Sequence, residues 1–184
     1  NGVDVYLTRN TEGCPYGNNP NDKSSCLSGR VNFAKKVNAN AYVSIHCDYD
    51  GDNDPNVKGA KVIYQNRNYR KDLCLNSYTL ASNILTELQT TGLTINNWKL
   101  DPNGTGLVTR TSTNSKYPDG SLKDYYAILN QTKTAGIPGV IIEHGYFSNA
   151  DDRNNHFSTK EQLKALGVAD ATAIAKHYNL QKKQ

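Results

Sequence analysis

The stretch that most restricts the fold is Gly139-Val-Ile-Ile-Glu143, short, β-branched and bounded by Pro138 and Gly145. An unbroken apolar run has no polar side to turn toward water, so it reads as a strand buried on both faces. Other segments fit a sheet built around it. Val3, Val5 and Leu7 alternate with Asp4, Tyr6 and Thr8 as a half-buried strand with which the chain opens. Ala41-Tyr-Val-Ser-Ile-His46 is a short apolar strand ending on a histidine, and Gly59 to Tyr64 alternate with Ala60, Val62 and Tyr64 on one side. Helices fall between the strands. Leu27, Val31, Ala34 and Val37 line one side of a helix from Ser25 to about Asn38. Cys74, Tyr78, Ala81, Leu85 and Leu88 form the stripe of a longer one, which Gly92 is placed to end. Ser158-Thr-Lys-Glu161 is a capping box that opens a last helix, with Leu163, Leu166, Ala169 and Ala173 inward. Asn10 to Lys23 reads as a surface loop. Residues 93–124 read as a long polar connection with turns at Asp101-Pro-Asn-Gly and Pro118-Asp-Gly, and Tyr125 to Leu129 form a brief apolar segment. Strands alternating with long helices predict an α/β fold, a three-layer sandwich whose mainly parallel, twisted sheet carries helices on both faces.

With 184 residues the chain reads as one domain, residues 1–184, and a domain of that size buries roughly 70% of its unfolded surface. No apolar run approaches the roughly 18 residues of a membrane span, so none is expected. A formal net charge of +4 favours approach to acidic polymers, from teichoic-acid-bearing walls to nucleic acids and anionic membranes. The basic residues are scattered, however, and Lys182 and Lys183 make only a short tail. With no arginine-rich helix or aromatic-interleaved basic motif, nucleic acid is not the expected partner. Cysteines at 14, 26, 47 and 74 contain no Cys-x-x-Cys pair, which speaks against a structural zinc ribbon. Cys14 and Cys26 bracket a Gly/Pro/Asn-rich loop that a disulfide could close in an exported protein. Cys74, on the apolar stripe of its helix, reads as a small buried hydrophobe.

Ligands of open α/β sheets gather at the carboxyl ends of strands, and two strands here end in reactive groups. One ends Ser44-Ile-His46 and the other Ile142-Glu143-His144. A carboxylate closing a buried strand demands a partner, whether a cation, a metal-bound water or a neighbouring lysine. His144 should point to the side opposite Glu143 and reads as structural, while His156 and His177 read as surface residues near helices. Asp48, Asp50, Asp52 and Asp54 resemble a calcium loop only superficially, since the glycine falls at 51 and Gly59 stands where the bidentate glutamate belongs.

Three motifs in order carry a family resemblance. They are Gly2-Val-Asp-Val-Tyr-Leu-Thr-Arg9; Leu27-Ser-Gly-Arg30 with Ala34, Asn38, Ala41 and Val43-Ser-Ile-His46; and Glu143-His-Gly-Tyr-Phe-Ser-Asn149. Together with the last helix they resemble the catalytic domain of zinc-dependent N-acetylmuramoyl-L-alanine amidases, over nearly the whole chain. The resemblance implies that His46 is a zinc ligand and Glu143 the general base, then acid, that cleaves the amide between N-acetylmuramic acid and L-alanine of peptidoglycan. It implies one Zn2+ per chain, peptidoglycan as partner, a monomer, and a secreted or wall-associated autolysin or a phage endolysin.

Family members carry an earlier strand ending Asp-Pro-Gly-His-Gly and a later glutamate, which supply two further ligands, and neither motif occurs here. The chain therefore reads as an amidase domain lacking its amino-terminal ligand segment, with a catalytically inactive wall-binding module or another zinc peptidase as alternatives. Arg110, in Leu107-Val-Thr-Arg110, could reach a substrate carboxylate or muramyl oxygen, and Asp48 could orient His46 or meet substrate. Tyr117, Tyr125 and Tyr126 could line a glycan groove. Cys47, next to His46, should point away from a metal that His46 holds.

Overall fold

In the computed structural model of the protein, residues 3–17, 23–52, 54–96, 101 and 103–181 are described. Gly2, Pro102, Lys182 and Lys183, which entered the sequence reading, lie outside them. The elements in chain order are α1 (Lys23–Lys36), β1 (Tyr42–Asp48), β2 (Lys61–Tyr64), α2 (Lys71–Gln89), β3 (Leu107–Val108), β4 (Thr111–Lys116), β5 (Leu122–Asp124), α3 (Ala127–Ala135), β6 (Gly139–Tyr146), α4 (Ala150–Asp152) and α5 (Lys160–His177).

β6 is central. The main sheet runs β1-β6-β2-β3, with β6 parallel to β1 and antiparallel to β2, and β2 parallel to β3. Alternate residues of β6 feed two cores, as a doubly covered strand must. Val140 and Ile142 join Val62 against Leu80, Ile84 and Leu88 of α2 and Leu166, Ala169 and Ala173 of α5. Ile141 joins Tyr42, Ile63 and Val108 against Val31 and Ala34 of α1 and Ile128 and Leu129 of α3. The result is the expected α/β arrangement, a mainly parallel sheet between helices.

Several local expectations change. Residues 3–8 form no strand; Val3, Val5 and Leu7 are 53%, 77% and 70% exposed. Alternation marks a segment suited to a ladder but does not provide the second strand that makes one. The supposed long connection contains β3 and the β4–β5 hairpin, whose turn is Pro118-Asp-Gly with Gly120 at φ +84°. β4 is wholly polar, Thr111-Ser-Thr-Asn-Ser-Lys116, and mostly exposed, so it has no buried side to produce an apolar period. Tyr125 to Leu129 lead into α3 rather than forming a segment of their own. In α2 the buried side runs through Ser77, Leu80, Ala81 and Ile84, which turns Tyr78 outward at 42% exposure. The last capping box sits one residue later than read, with Thr159 and Gln162 bonding reciprocally, and this leaves Leu163 half exposed. Cys14 and Cys26 are joined in a disulfide, and Cys74 is buried.

One polar knot ties the hairpin to the sheet. Asp124 and Lys133 are fully buried, with Nζ 3.5 Å from Oδ2. Asp124 also accepts from the Tyr117 hydroxyl and the Asn66 backbone N–H, both at 2.6 Å. Lys133 donates to the carbonyl and side-chain oxygens of Asn66 at 2.6 and 3.0 Å. Burial pulls the Lys133 ammonium below its ordinary range, and the Asp124 charge opposes the shift. Tyr117 is therefore a packing residue, 3% exposed, and not part of a glycan groove. Removing one member leaves the other charge buried without its partner, so Asp124→Ala should lower unfolding free energy by about 3–5 kcal/mol. Urea denaturation measures this, and a loss below about 1 kcal/mol would mean that the knot does not hold the hairpin.

Candidate active site

The β ladders place three functional side chains in one row. His46 of β1 is the register partner of Glu143 on β6, and Lys61 of β2 is its partner on the other side. Because side chains alternate across a strand, Tyr42, Ser44 and His46 share a face with Ile141 and Glu143 and with Lys61 and Ile63. This is the face packed by α1 and α3. Cys47 and His144 fall on the other face. The row sits where β1 and β6 end and β2 begins, the rim at which an α/β sheet can expose polar groups.

Glu143 is set up as a proton carrier. Its Oε2 is buried and has no hydrogen-bond partner among the described residues. Burial pushes its carboxyl up to about 7, Asp48 adds to the rise, and Lys61 and His144 oppose it. A carboxyl of this kind changes protonation near neutrality, which suits a general acid–base group. His46 reaches the surface, and partial desolvation, then Arg30, hold it below its ordinary value, which favours the neutral ring with a lone pair to offer. Its Nε2 lies 2.9 Å from Ser44 Oγ.

Beneath the row is a charge cluster that sequence reading missed. Lys61 is 2% exposed and donates to Asp48 Oδ2 and to the Tyr146 hydroxyl, both at 2.5 Å. Its ammonium also lies 4.5 Å from the Tyr146 ring centre. The other Asp48 oxygen accepts from the Tyr49 backbone N–H at 2.8 Å. Both oxygens of Asp48 are thus engaged within the protein. The lysine inside the apolar run Gly59-Ala-Lys-Val-Ile-Tyr64 was the available signal, since a strand charge between buried neighbours needs a partner. Nothing in the sequence identifies Asp48, 13 residues earlier in the chain, as that partner.

On the opposite face His144 bridges β1 and α5. Its Nδ1 lies 3.2 Å from the His46 carbonyl oxygen and its Nε2 3.0 Å from Asp170 Oδ2. Burial alone would lower the His144 pKa, but the hydrogen bond and charge of Asp170, with the His46 carbonyl, raise it overall. The motif after β6 is also structural in part. Gly145 has φ +148°, and a Cβ there would meet Asp152 Oδ2 at 2.8 Å. That same carboxylate oxygen accepts from the Gly59 and Tyr146 backbone N–H groups. Asn149 caps α4 and donates to the Pro55 and Val57 carbonyls.

Arg110 lies between β3 and β4 with its guanidinium carbon 3.6 Å from the Tyr125 ring centre. Tyr126 packs against the core on the face that carries the row, makes a polar contact with Arg110 and feels the charges of Glu143 and Asp48, so this pair borders the row. Cys47 is exposed at the surface, and partial desolvation of its thiol, then the charges of Glu143 and Asp152, raise its pKa. Asp50 and Asp54 close their own loop by accepting from the backbone of Asp54 and Asn56. Among the described residues no group of three His, Cys, Asp or Glu side chains could hold a metal ion. A catalytic zinc takes three protein ligands, so the donors described, with His46 as the one imidazole in the row, do not make a complete zinc site.

The profile of the family described as N-acetylmuramoyl-L-alanine amidase matches residues 1–176. No curated protein matches the chain. Among solved structures, Cwp6 from Clostridium difficile is 21% identical with a TM-score of 0.67, over 96% of this chain and 22% of that one. The N-acetylmuramyl-L-alanine amidase Ami1 from Mycobacterium smegmatis is 21% identical with a TM-score of 0.63, over 90% and 66% of the two chains. The CwlD amidase from Clostridioides difficile, solved with the GerS lipoprotein, is 23% identical with a TM-score of 0.63, over 95% and 75%. At these identities the likeness is one of fold. The chain spans about a fifth of the first of these proteins and about two thirds of the second.

The sign of the Glu143 shift gives a stability test in chelator-treated protein. A carboxyl raised from 4.5 to about 7 binds its proton more tightly when folded, so its stabilising effect is complete below about pH 4.5 and is lost as pH rises through about 7. Glu143→Gln should therefore be more stable than the parent at pH 8, by up to about 3 kcal/mol, with the gap closing near pH 4.5. Parallel denaturation curves at the two pH values would refute the shift.

Proposed function

The chain belongs to the N-acetylmuramoyl-L-alanine amidase family, and on that footing we propose that it is a peptidoglycan hydrolase cutting the amide between N-acetylmuramic acid and the L-alanine of the stem peptide. The observation that carries this reading is the unpartnered, buried Oε2 of Glu143 beside His46 in the same register row. Amide hydrolysis needs an activated water and a proton for the departing nitrogen, and a carboxyl poised at about 7 can serve both ends. As a carboxylate, Glu143 takes a proton from the attacking water. As an acid, it returns that proton to the alanine nitrogen as the C–N bond breaks.

Lys61 stands opposite Glu143 and keeps its charged form accessible, as its opposing effect on the carboxyl indicates. Asp48, with both oxygens engaged, is assigned to holding Lys61 in place rather than to gripping substrate directly. Arg110 is assigned to the substrate side of the rim. Zinc is the metal we assign to this chemistry, where it would supply Lewis acidity for the lactyl carbonyl. Neutral His46 would be the ligand that the described residues offer it. Export or wall association, as an autolysin or an endolysin, is supported by the Cys14–Cys26 disulfide, which belongs to an oxidising compartment.

The incomplete donor set favours a second reading, a wall-binding module without catalysis. The two differ in what purified wall yields. An amidase releases fragments with new L-alanine amino termini, detected by mass spectrometry, whereas a binding module sediments with the wall and releases none. Glu143→Gln should lower kcat by about 10²–10⁴-fold or more and leave zinc content unchanged, while His46→Ala should reduce zinc content. In the active form the rate should fall about tenfold per pH unit below the Glu143 pKa, because the base must be ionised to act. Full activity of Glu143→Gln would remove this residue from the mechanism.

A further inference from the structure

The Arg110 side chain is held by two tyrosines and, among the described residues, is paired with no carboxylate. Its planar guanidinium lies over Tyr125 at 3.6 Å, and Tyr125 is itself 50% exposed. Tyr126 borders the guanidinium on a second side. Stacking on a ring occupies none of the five N–H donors of arginine, and among the described residues no carboxylate is paired with it. An arginine that only covered a tyrosine would need no fixed orientation. Here three constraints fix the backbone that carries it. The Tyr125 backbone N–H donates to the Arg110 carbonyl at 2.8 Å, Thr111 pairs with Asp124 in the hairpin ladder, and Asp124 is buried in the polar knot that immediately precedes Tyr125 and Tyr126.

The Arg110 guanidinium is the group that an anion would meet at this place, opposing at Tyr126 the effect of the carboxyls of the row. Glu143 and Asp48 both act on Tyr126, so substrate lying across the row passes from a carboxylate-rich floor to a cationic shelf. A stem peptide has its scissile amide at one end and carboxylates along its length. With the amide at Glu143, a peptide carboxylate reaching the shelf meets the fork of arginine donors that suits bidentate pairing.

We propose that Arg110, held by Tyr125 and Tyr126, is a specificity-determining residue that binds a stem-peptide carboxylate and makes the protein prefer stems in which that carboxylate is free over those in which it is amidated. This rests on the amidase reading and adds a substrate preference to it. Tyr125 supports the guanidinium from below, so its removal loosens the shelf without touching Glu143 or His46.

The test uses the full-length, zinc-loaded protein with muramoyl peptides that are matched except for amidation, one pair differing at the second stem residue and one at the third. The parent should show a higher kcat/KM for the free carboxylate in one of the pairs, by about 10-fold or more, and that pair identifies which carboxylate is read. Arg110→Gln should erase the preference, with the loss falling on KM for the free-carboxylate substrate. Arg110→Lys should restore only part of it, because a point charge lacks the planar fork. Equal rates on free and amidated stems by the parent, or an equal loss on both in Arg110→Gln, overturns the proposal while leaving the amidase reading intact.

If the parent cleaves neither substrate, the amidase reading fails instead, and calorimetric binding of the same peptides still decides the subsite. Binding of the free carboxylate should weaken about 10-fold in Arg110→Gln; no change would sink the proposal. Should Arg110→Gln prove unstable on melting, Tyr125→Leu provides the second variant. It keeps the charge and an apolar support, and it should narrow the preference without removing it; an unchanged preference in that variant counts against the shelf.

Discussion

The site depends on hydrogen bonding along both edges of β6. That strand is parallel to β1 on one side and antiparallel to β2 on the other, so its register decides which residues of three separate segments become neighbours. A slip of one residue along β6 would exchange faces. Glu143 would enter the core lined by α2 and α5, and His144 would replace it in the row. The apolar residues prevent this slip, because Val140 and Ile142 fill one core while Ile141 fills the other. Packing of Val-Ile-Ile therefore holds in place the carboxyl that follows it.

Two acids show how hydrogen bonding separates a structural group from a reactive one. Asp124 is 1% exposed and receives a phenol hydroxyl, a backbone N–H and a lysine charge. Its demand for donors is met inside the protein. Glu143 is half-buried, but its Oε2 is buried and lacks any donor among the described residues, and burial carries its carboxyl up to about 7. The difference lies in the supply of donors, because a buried charge is tolerated only where it is paired and solvated by protein groups. Lys61 moderates the cost without removing it. On the far face His144 and Asp170 pair with each other and tie α5 to the His46 carbonyl, so the backbone carrying the imidazole is braced from the side away from substrate.

The segment between α2 and β6 gives the rim its shape. β3 extends the sheet, the β4–β5 hairpin projects beyond it, and the Asp124–Lys133 knot pins the hairpin base to α3. A long polar connection in a compact domain is more often functional than idle. Here its polar residues bring Arg110, Tyr125 and Tyr126 to the border of the row. The apolar core ends at this base, and what extends past it is held by buried hydrogen bonds.

Much of this was legible in the residues alone. A β-branched run between Pro138 and Gly145 reports a doubly buried strand because side-chain period and burial are local properties, and the same holds for the apolar stripes of α1, α2 and α5. The ends of two such strands pointed to His46 and Glu143 as the reactive groups. The hairpin escaped notice because a solvated ribbon of Thr, Ser and Asn has no apolar period. The alternation at residues 3–8 suits a strand, yet among the described residues none pairs with them in a ladder. Lys61 with Asp48, His144 with Asp170 and Asp124 with Lys133 were invisible as pairs, since each joins different elements and a partner's identity is not encoded in local spacing. The sequence by itself determined which segments could be strands and helices and which side chains had the chemistry to react. Only the tertiary structure decided which of those side chains meet and which buried carboxyl is left short of donors, because strand order, register and desolvation arise when distant segments pack together.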